Sequence, residues 1–221
     1  INIAKVAIPL KNLILMRNID DKIALLKSSG SCVFCDLNQG DFKGNNLKDV
    51  DLRYAILSRA DLRYANLSRA NLEGVDLSNK DLTGTILTLA DLTGANLDGV
   101  DLSNKDLTGT MLSGVDLSNK DLTGTSLIHI NFTGANLDGV DLSNKDLTGT
   151  ILSGVDLSNK DLTGTILTLA DLTGANLDGV DLSNKDLTGT ILSGVDLSGV
   201  DLRNKDLTGT ILSGVDLSNK D

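Results

Sequence analysis

The chain is nearly devoid of aromatic residues, which make up 2% of its 221 positions, and it has no tryptophan. A layered globule of this length fills its core with aromatic and varied aliphatic side chains, so that kind of interior is excluded. Histidine occurs once, at His129, and cysteine twice, at Cys32 and Cys35. That leaves too few ligands for a His/Cys metal cluster and too few thiols for a multi-bridge disulfide framework. Basic residues are the minority, 20 Lys and Arg against 30 Asp and Glu, a formal net charge of −10. An acidic chain is a poor default binder of nucleic acid or anionic membrane; the expected partner is a protein, or a second copy of the chain. The most apolar stretch, residues 1–16, is interrupted by Lys5, Pro9 and Lys11 and does not read as a membrane span. A processed signal-peptide remnant stays open there, so both the bacterial cytoplasm and an exported compartment remain open.

What the chain does have is glycine, 22 residues, and a leucine every fifth position. From Leu37 to Leu217 the units follow one another in a single frame without insertion or slip, and only Phe42 and Phe132 replace the leucine. Two residues before it stands a small or β-branched residue, as in Ala60, Ala90 and Val100, and Asp or Asn usually lies between. A five-residue period fits neither a helix nor a simple alternating strand. It demands a corner in every unit, and Gly or Asn two residues after the leucine (Gly74, Asn79, Gly94, Asn104) supplies the residue types that tolerate positive φ. Each unit then contributes one inward leucine to a coil.

Units such as ADLTG (90–94), ANLDG (95–99) and VDLSN (100–104) resemble those of the pentapeptide-repeat proteins. The resemblance spans residues 35–221. It implies an all-β fold, a right-handed four-sided parallel β-helix with one unit per side and four units per coil, about nine coils in this chain. Residues 1–34 lie outside the frame. Within them DDKIALLKSSG (20–30) has acidic residues first, an apolar patch and a terminal glycine, the signals of a short helix; family members commonly carry one, and it reads as a cap over the first coil. The expected organisation is an N-terminal segment and helical cap, 1–34, and a repeat β-helix, 35–221. A 40-residue period is superimposed: residues 75–114 and 155–194 differ only at Met111 against Ile191. Such identity between copies is poor ground for a unique active site.

Residues four units apart are expected to stack, which lets columns be read. One is unbroken: Asp41, Asp61, Asp81, Asp101, Asp121, Asp141, Asp161, Asp181, Asp201 and Asp221. Stacked like charges destabilise neighbouring strands, so the column is either structural, each carboxylate bonding nearby backbone, or an acidic face for a basic partner; the structural reading is favoured. Ile86, Met111, Ile151, Ile166, Ile191 and Ile211 replace the outward Asp on the next two sides, an apolar stripe that is either a binding surface or ordinary scatter. Lysine takes the inward position at Lys80, Lys105, Lys120, Lys145, Lys160, Lys185, Lys205 and Lys220; burying it would cost several kcal/mol, so these side chains are expected to swing out and meet the adjacent Asp. Residues 1–74 carry a net +3 and residues 75–221 a net −13. Arg53, Arg59, Arg63 and Arg69 fall on four different sides, a collar paired with neighbouring Asp rather than a nucleic-acid patch.

Cys35 occupies an inward small-residue position, explained by packing, with a local Cys32–Cys35 disulfide bracing the cap as the alternative. His129 lacks a nucleophile-and-acid setting, and no catalytic residue, metal ligand or cofactor is expected. The final coil would leave strand edges open, so either the native chain continues further or two copies meet end to end through Leu212 and Leu217, and the dimer is the expectation. The resulting reading is a non-catalytic scaffold or interaction module. The alternative suggested by the family is an acidic mimic of a DNA duplex that binds DNA gyrase. Against it stand central leucines where those relatives favour phenylalanine, and a frame without loop insertions.

Overall fold

The structure is a computed structural model and describes residues 19–198, 200, 202 and 207–215. The chain divides into two compact units, Ile1–Asp101 and Leu102–Asp221. The first opens with helix α1, Ile19–Ser29, which carries Asp20 and Asp21 in its first turn and Lys27 in its last, complementing the helix dipole at both ends. Leu25 and Leu26 are its buried residues. Gly30 stops it at φ 69° while donating its N–H to Leu26 O at 2.9 Å, a left-handed stop that glycine adopts without strain.

From Cys35 onward the described five-residue units share one local fold. The central leucine points inward, as at Leu37, Leu72 and Leu92, all 0% exposed, and the small residue two before it is buried beside it, as at Ala65 and Ala90. Three residues after the leucine an N–H returns to its carbonyl, Ala65 to Leu62 at 3.0 Å and Ala90 to Leu87 at 2.9 Å, closing the corner.

Parallel bridges join residues four units apart. In the first compact unit Ser31, Asp51, Asn71 and Asp91 form one ladder; in the second, Met111, Asn131, Ile151, Asp171, Ile191 and Ile211 form another. One turn of the coil therefore takes four five-residue units. The expected wall of short strands is reduced, among the described residues, to isolated single-residue bridges, with α1 the one named element. The reason is local: two of every five residues are taken by the turn, leaving one rung per unit on the ladder.

The 40-residue period is visible at the corners of the coil. Asn119 adopts φ 57° at its corner, and a β-carbon on Gly139, four units on, would collide with its side chain. The same pairing recurs at Asn159 and Gly179, where the β-carbon would lie 2.5 Å from Oδ1. At these corners Asn and Gly alternate from coil to coil in step with the 40-residue period, whereas at another corner Asp49, Arg69 and Leu89 follow one another on successive coils, all with positive φ.

Candidate functional site

The Asp column was the most conspicuous feature of the sequence, and its carboxylates are engaged by their own units. Asp121, Asp141 and Asp161 each accept the N–H two residues on at 2.8 Å, from Thr123, Ser143 and Thr163; Asp181 does so from Ser183 at 2.7 Å. Hydroxyls of Thr123, Ser143 and Thr163, followed by those backbone N–H groups, hold these three carboxyls below the ordinary range. Asp81 is lowered in the same way by Thr83. Asp61 falls to about 2, chiefly through the guanidinium of Arg63. Asp101 is exposed in the same column; Asp201 and Asp221 lie outside the described residues. Asn96, Asn136 and Asn176 accept the equivalent N–H at 3.0 Å on the adjacent side, so the turn needs the side-chain oxygen and not the charge.

The column's side of the coil is also where the wall opens. Asp41 and Asp61 are bridged, with Gly40 and Ala60 at the inward positions beside them. Asp81, Asp121, Asp141, Asp161 and Asp181 carry no bridge. Here every second coil has a lysine at the inward position: Lys80, Lys120, Lys160. The lysines stay half-buried. Lys160 Nζ donates to Val140 O at 3.2 Å, Lys145 Nζ to Leu122 O at 2.7 Å, Lys80 to Ser58 O and Lys185 to Leu162 O. Carbonyls of the preceding coil thus receive these four ammonium groups, which were expected to swing out toward Asp; Lys205 and Lys220 lie outside the described residues. Val140 O is the acceptor that the Asp161 N–H would use if the rule of Asp61 to Gly40 O (3.0 Å) held there. Burial lowers the Lys80 ammonium below its ordinary range. Between the unbridged segments of the second compact unit runs a groove of about 840 Å³ lined by Lys160, Asp161, Asp181, Asn184, Lys185 and Asp186.

The apolar residues separate into distinct groups. Met111, Ile151, Ile191 and Ile211 share one ladder in the second compact unit, with Asn131 and Asp171 between them; Met111, Ile151 and Ile211 are 40%, 37% and 47% exposed, and Ile191 is half-buried. Ile166 lies on the neighbouring ladder, bridged to Asp146 and close in sequence to exposed Leu169. Ile86 belongs to the first compact unit, bridged to Asn66 and followed by exposed Leu89.

Three collar arginines are held by carboxylates: Arg53 by Asp51 at 2.9 Å, Arg63 by Asp61 at 2.5 Å and Arg69 by Asp49 at 2.8 Å. The sequence reading missed one exposed pair. Phe34 and Tyr54 stack with ring centroids 5.0 Å apart, and the Tyr54 hydroxyl donates to Glu73 at 2.7 Å; the two aromatics stand four units apart, and that spacing was the available signal. Cys32 and Cys35 are both buried and are joined in a disulfide, Cα atoms 5.3 Å apart. The His129 ring sits where a β-carbon on Gly149 would fall. Leu212 is half-buried; Leu217 lies outside the described residues. Among the described residues no group of three His, Cys, Asp or Glu converges as a metal site, and no helix is long and apolar enough to cross a membrane.

These features define a class, a coil of five-residue units in which outward polar side chains serve the turn beside them. The pentapeptide repeats family model (8 copies) matches residues 31–63 and, in overlapping stretches, 65–219, so the chain belongs to the pentapeptide repeat family. Similar solved structures include HetL, a pentapeptide repeat protein involved in heterocyst differentiation regulation from the cyanobacterium Nostoc sp. strain PCC 7120, at 28% identity, covering 88% of this chain and 93% of that one, TM-score 0.43. Trypsin-treated QnrB1, a plasmid-mediated fluoroquinolone resistance protein, is similar at 19% identity over 83% and 90% of the two chains, TM-score 0.37. Rfr23 from the cyanobacterium Cyanothece 51142 is similar at 25% identity over 73% and 100%, TM-score 0.24. No curated protein matches the chain.

Proposed function

We propose that this chain is a non-catalytic scaffold or protein-interaction module whose work is done by its outer faces. It consists of a cap segment, 1–34, and a repeat domain, 35–221, that winds as a right-handed four-sided β-helix of about nine coils. The family resemblance and the four-unit spacing of the bridges support that winding. One observation carries the functional reading: in the Asp column Asp121, Asp141, Asp161 and Asp181 are each held by the N–H two residues on, whereas the exposed Met111, Ile151 and Ile211 have no such local use. Carboxylates occupied by their own backbone are structural elements first. The partner is a protein or a second copy, with no direct contact to nucleic acid or membrane.

The alternative is a duplex-mimicking binder of DNA gyrase, favoured by the net charge of −10. A DNA supercoiling assay separates the two. The scaffold reading expects unchanged gyrase activity at micromolar chain; inhibition in that range, relieved by added salt, would replace it with the mimic.

A further inference from the structure

The sides of the second compact unit differ in charge. Outward positions on the side that follows the Met111 ladder carry Asp116, Asp138, Asp156, Asp178 and Asp196, and the Asp column contributes Asp121, Asp141, Asp161 and Asp181. The side of Ile166 carries Asp106, Asp146 and Asp186, with Lys105, Lys145 and Lys185 beside them. The Met111 ladder carries one carboxylate, Asp171. Its flank is bare as well: Gly114, Gly134, Gly154, Gly174, Gly194 and Gly214 form its corners, and a β-carbon on any of them would meet nothing within 4 Å. Among the described residues it is the side of the unit with the fewest charged outward residues.

A chain with net charge −10 meets itself most easily where it is least charged. The order of rungs on this ladder is also self-complementary. A two-fold axis through Ile151 sets Ile151 against Ile151 of the second copy, Met111 against its Ile191, and Asn131 against its Asp171, so that apolar meets apolar and an amide donates to a carboxylate. Moving the axis to Asp171 opposes two carboxylates; moving it to Ile191 sets Asp171 against Ile211. Only the axis at Ile151 pairs all five rungs from Met111 to Ile191 favourably.

We propose that the ladder formed by Met111, Asn131, Ile151, Asp171 and Ile191 is a self-association surface, and that two copies of the chain pack through it antiparallel about an axis at Ile151. This rests on reading the chain as an interaction module and names its partner. Such an interface is isologous and closes as a dimer. Four coil steps at about 4.8 Å give a face about 19 Å long, smaller than a standard specific interface, so the dimer is expected to be weak and concentration-dependent.

The test is sedimentation velocity of the full chain across a concentration series, with Ile151→Lys and Asn131→Lys beside it. The unaltered chain is expected to shift from monomer to dimer. Ile151→Lys places two ammonium groups on the axis and is expected to raise the dimer Kd by roughly thirtyfold or more, the loss of a central anchor. Asn131→Lys faces Asp171 of the second copy and is expected to tighten it. Ile151 is a surface rung, whereas Asn131→Lys also removes the oxygen that accepts the Thr133 N–H at 2.9 Å, so melting curves of both variants check that the coil is intact. A chain that is monomeric at every concentration overturns the proposal, and so does a dimer indifferent to Ile151→Lys, which would place association elsewhere, as at the C-terminal coils. Gyrase activity reads the parent hypothesis independently: a monomeric chain without effect on supercoiling removes this surface and leaves the scaffold reading intact.

Discussion

Two sides of the same coil, built from the same five-residue unit, are held differently. On one, Met111 to Asn131 to Ile151 to Asp171 to Ile191 to Ile211 bridge at every step; on the other, Asp121, Asp141, Asp161 and Asp181 bridge nowhere. The outward residue does not decide this, because Asp171 bridges on the first side while Asp161 does not on the second. The inward residues differ between the two sides, although a lysine alone does not abolish a bridge, since Asp106 and Asp146 follow Lys105 and Lys145 and are bridged to Ser126 and Ile166. Thr110, Ile130, Thr150, Ala170 and Thr190 line the closed side, whereas Lys120 and Lys160 alternate with Val140 and Val180 on the open one. A buried hydroxyl can bond the wall without leaving it, as Thr150 does to Leu147 O at 2.7 Å. An ammonium must be solvated, so its stem runs through the wall and its head takes a backbone acceptor.

Both sides depend on the leucine axis, and the largest expected effect falls there. Leu142 is 1% exposed. Leu142→Ala is expected to cost about 2–5 kcal/mol, the transfer loss plus the cavity, read by chemical denaturation. An unchanged midpoint would contradict the inward assignment.

The next effect separates two corners. Gly139 and Gly154 share φ 68°, but the Asn119 side chain occupies the space of a β-carbon on Gly139 and nothing approaches Gly154. Gly154→Ala is expected to carry only the left-handed strain, roughly 1 kcal/mol. Gly139→Ala adds the collision and is expected to reach roughly 2–3 kcal/mol. Asn119→Gly in the same chain should recover the difference and leave the strain, a double-mutant cycle with coupling confined to that corner. Equal costs at the two glycines would show that the Asn119 side chain yields to a β-carbon without cost.

A smaller effect of opposite sign tests the open wall directly. Lys160→Ala copies the arrangement at Ala60, where Asp61 N–H reaches Gly40 O. Val140 O is then released to Asp161, and stability is expected to rise by about 1 kcal/mol for each ladder bond regained. Slower hydrogen exchange at the Asp161 amide is the specific signature. If that amide exchanges as before, the lysine is not what holds the ladder open.

Much of this was legible in the sequence because a strict period turns position into geometry. The frame of five placed the leucines inward, the corners at Gly and Asn, and the stacked columns at a spacing of four units; α1 was legible from its acidic start and terminal glycine. The lysine paths were not. Sequence places Lys160 at an inward position, but whether its head meets a carboxylate or a carbonyl depends on which acceptor the preceding coil leaves within reach. The same limit held for the apolar stripe. The columns separated Ile166 from Ile151, yet the exposure of Met111 and Ile151 beside open glycine corners is a property of the assembled coil. Phe34 and Tyr54 were missed because the frame was taken to begin at 35, one residue after the first of them.

The smallest expected effect at neutral pH concerns the Asp column, and it grows in acid. Asp81, Asp121, Asp141 and Asp161 are held below their ordinary value by hydroxyls and backbone N–H groups, and Asp61 sits at about 2 against an ordinary 3.8. A carboxyl whose pKa is depressed by folding adds stability that is fully present above its unfolded value and is lost as pH falls through the folded one. Melting temperature is therefore expected to be flat from neutral pH down to about 4 and to fall between about 4 and 2. Replacing Asp121, Asp141 and Asp161 together by Asn keeps the accepting oxygen, as Asn136 and Asn176 show at 3.0 Å. The triple variant is expected to melt with the unaltered chain at pH 7 and to lose part of the decline below pH 4. Replacing the same three by Ala removes the oxygen and is expected to lower the melting temperature at pH 7 as well. If Asn proves as damaging as Ala at neutral pH, the charge itself stabilises the turn, and the carboxylates are more than acceptors for their own backbone.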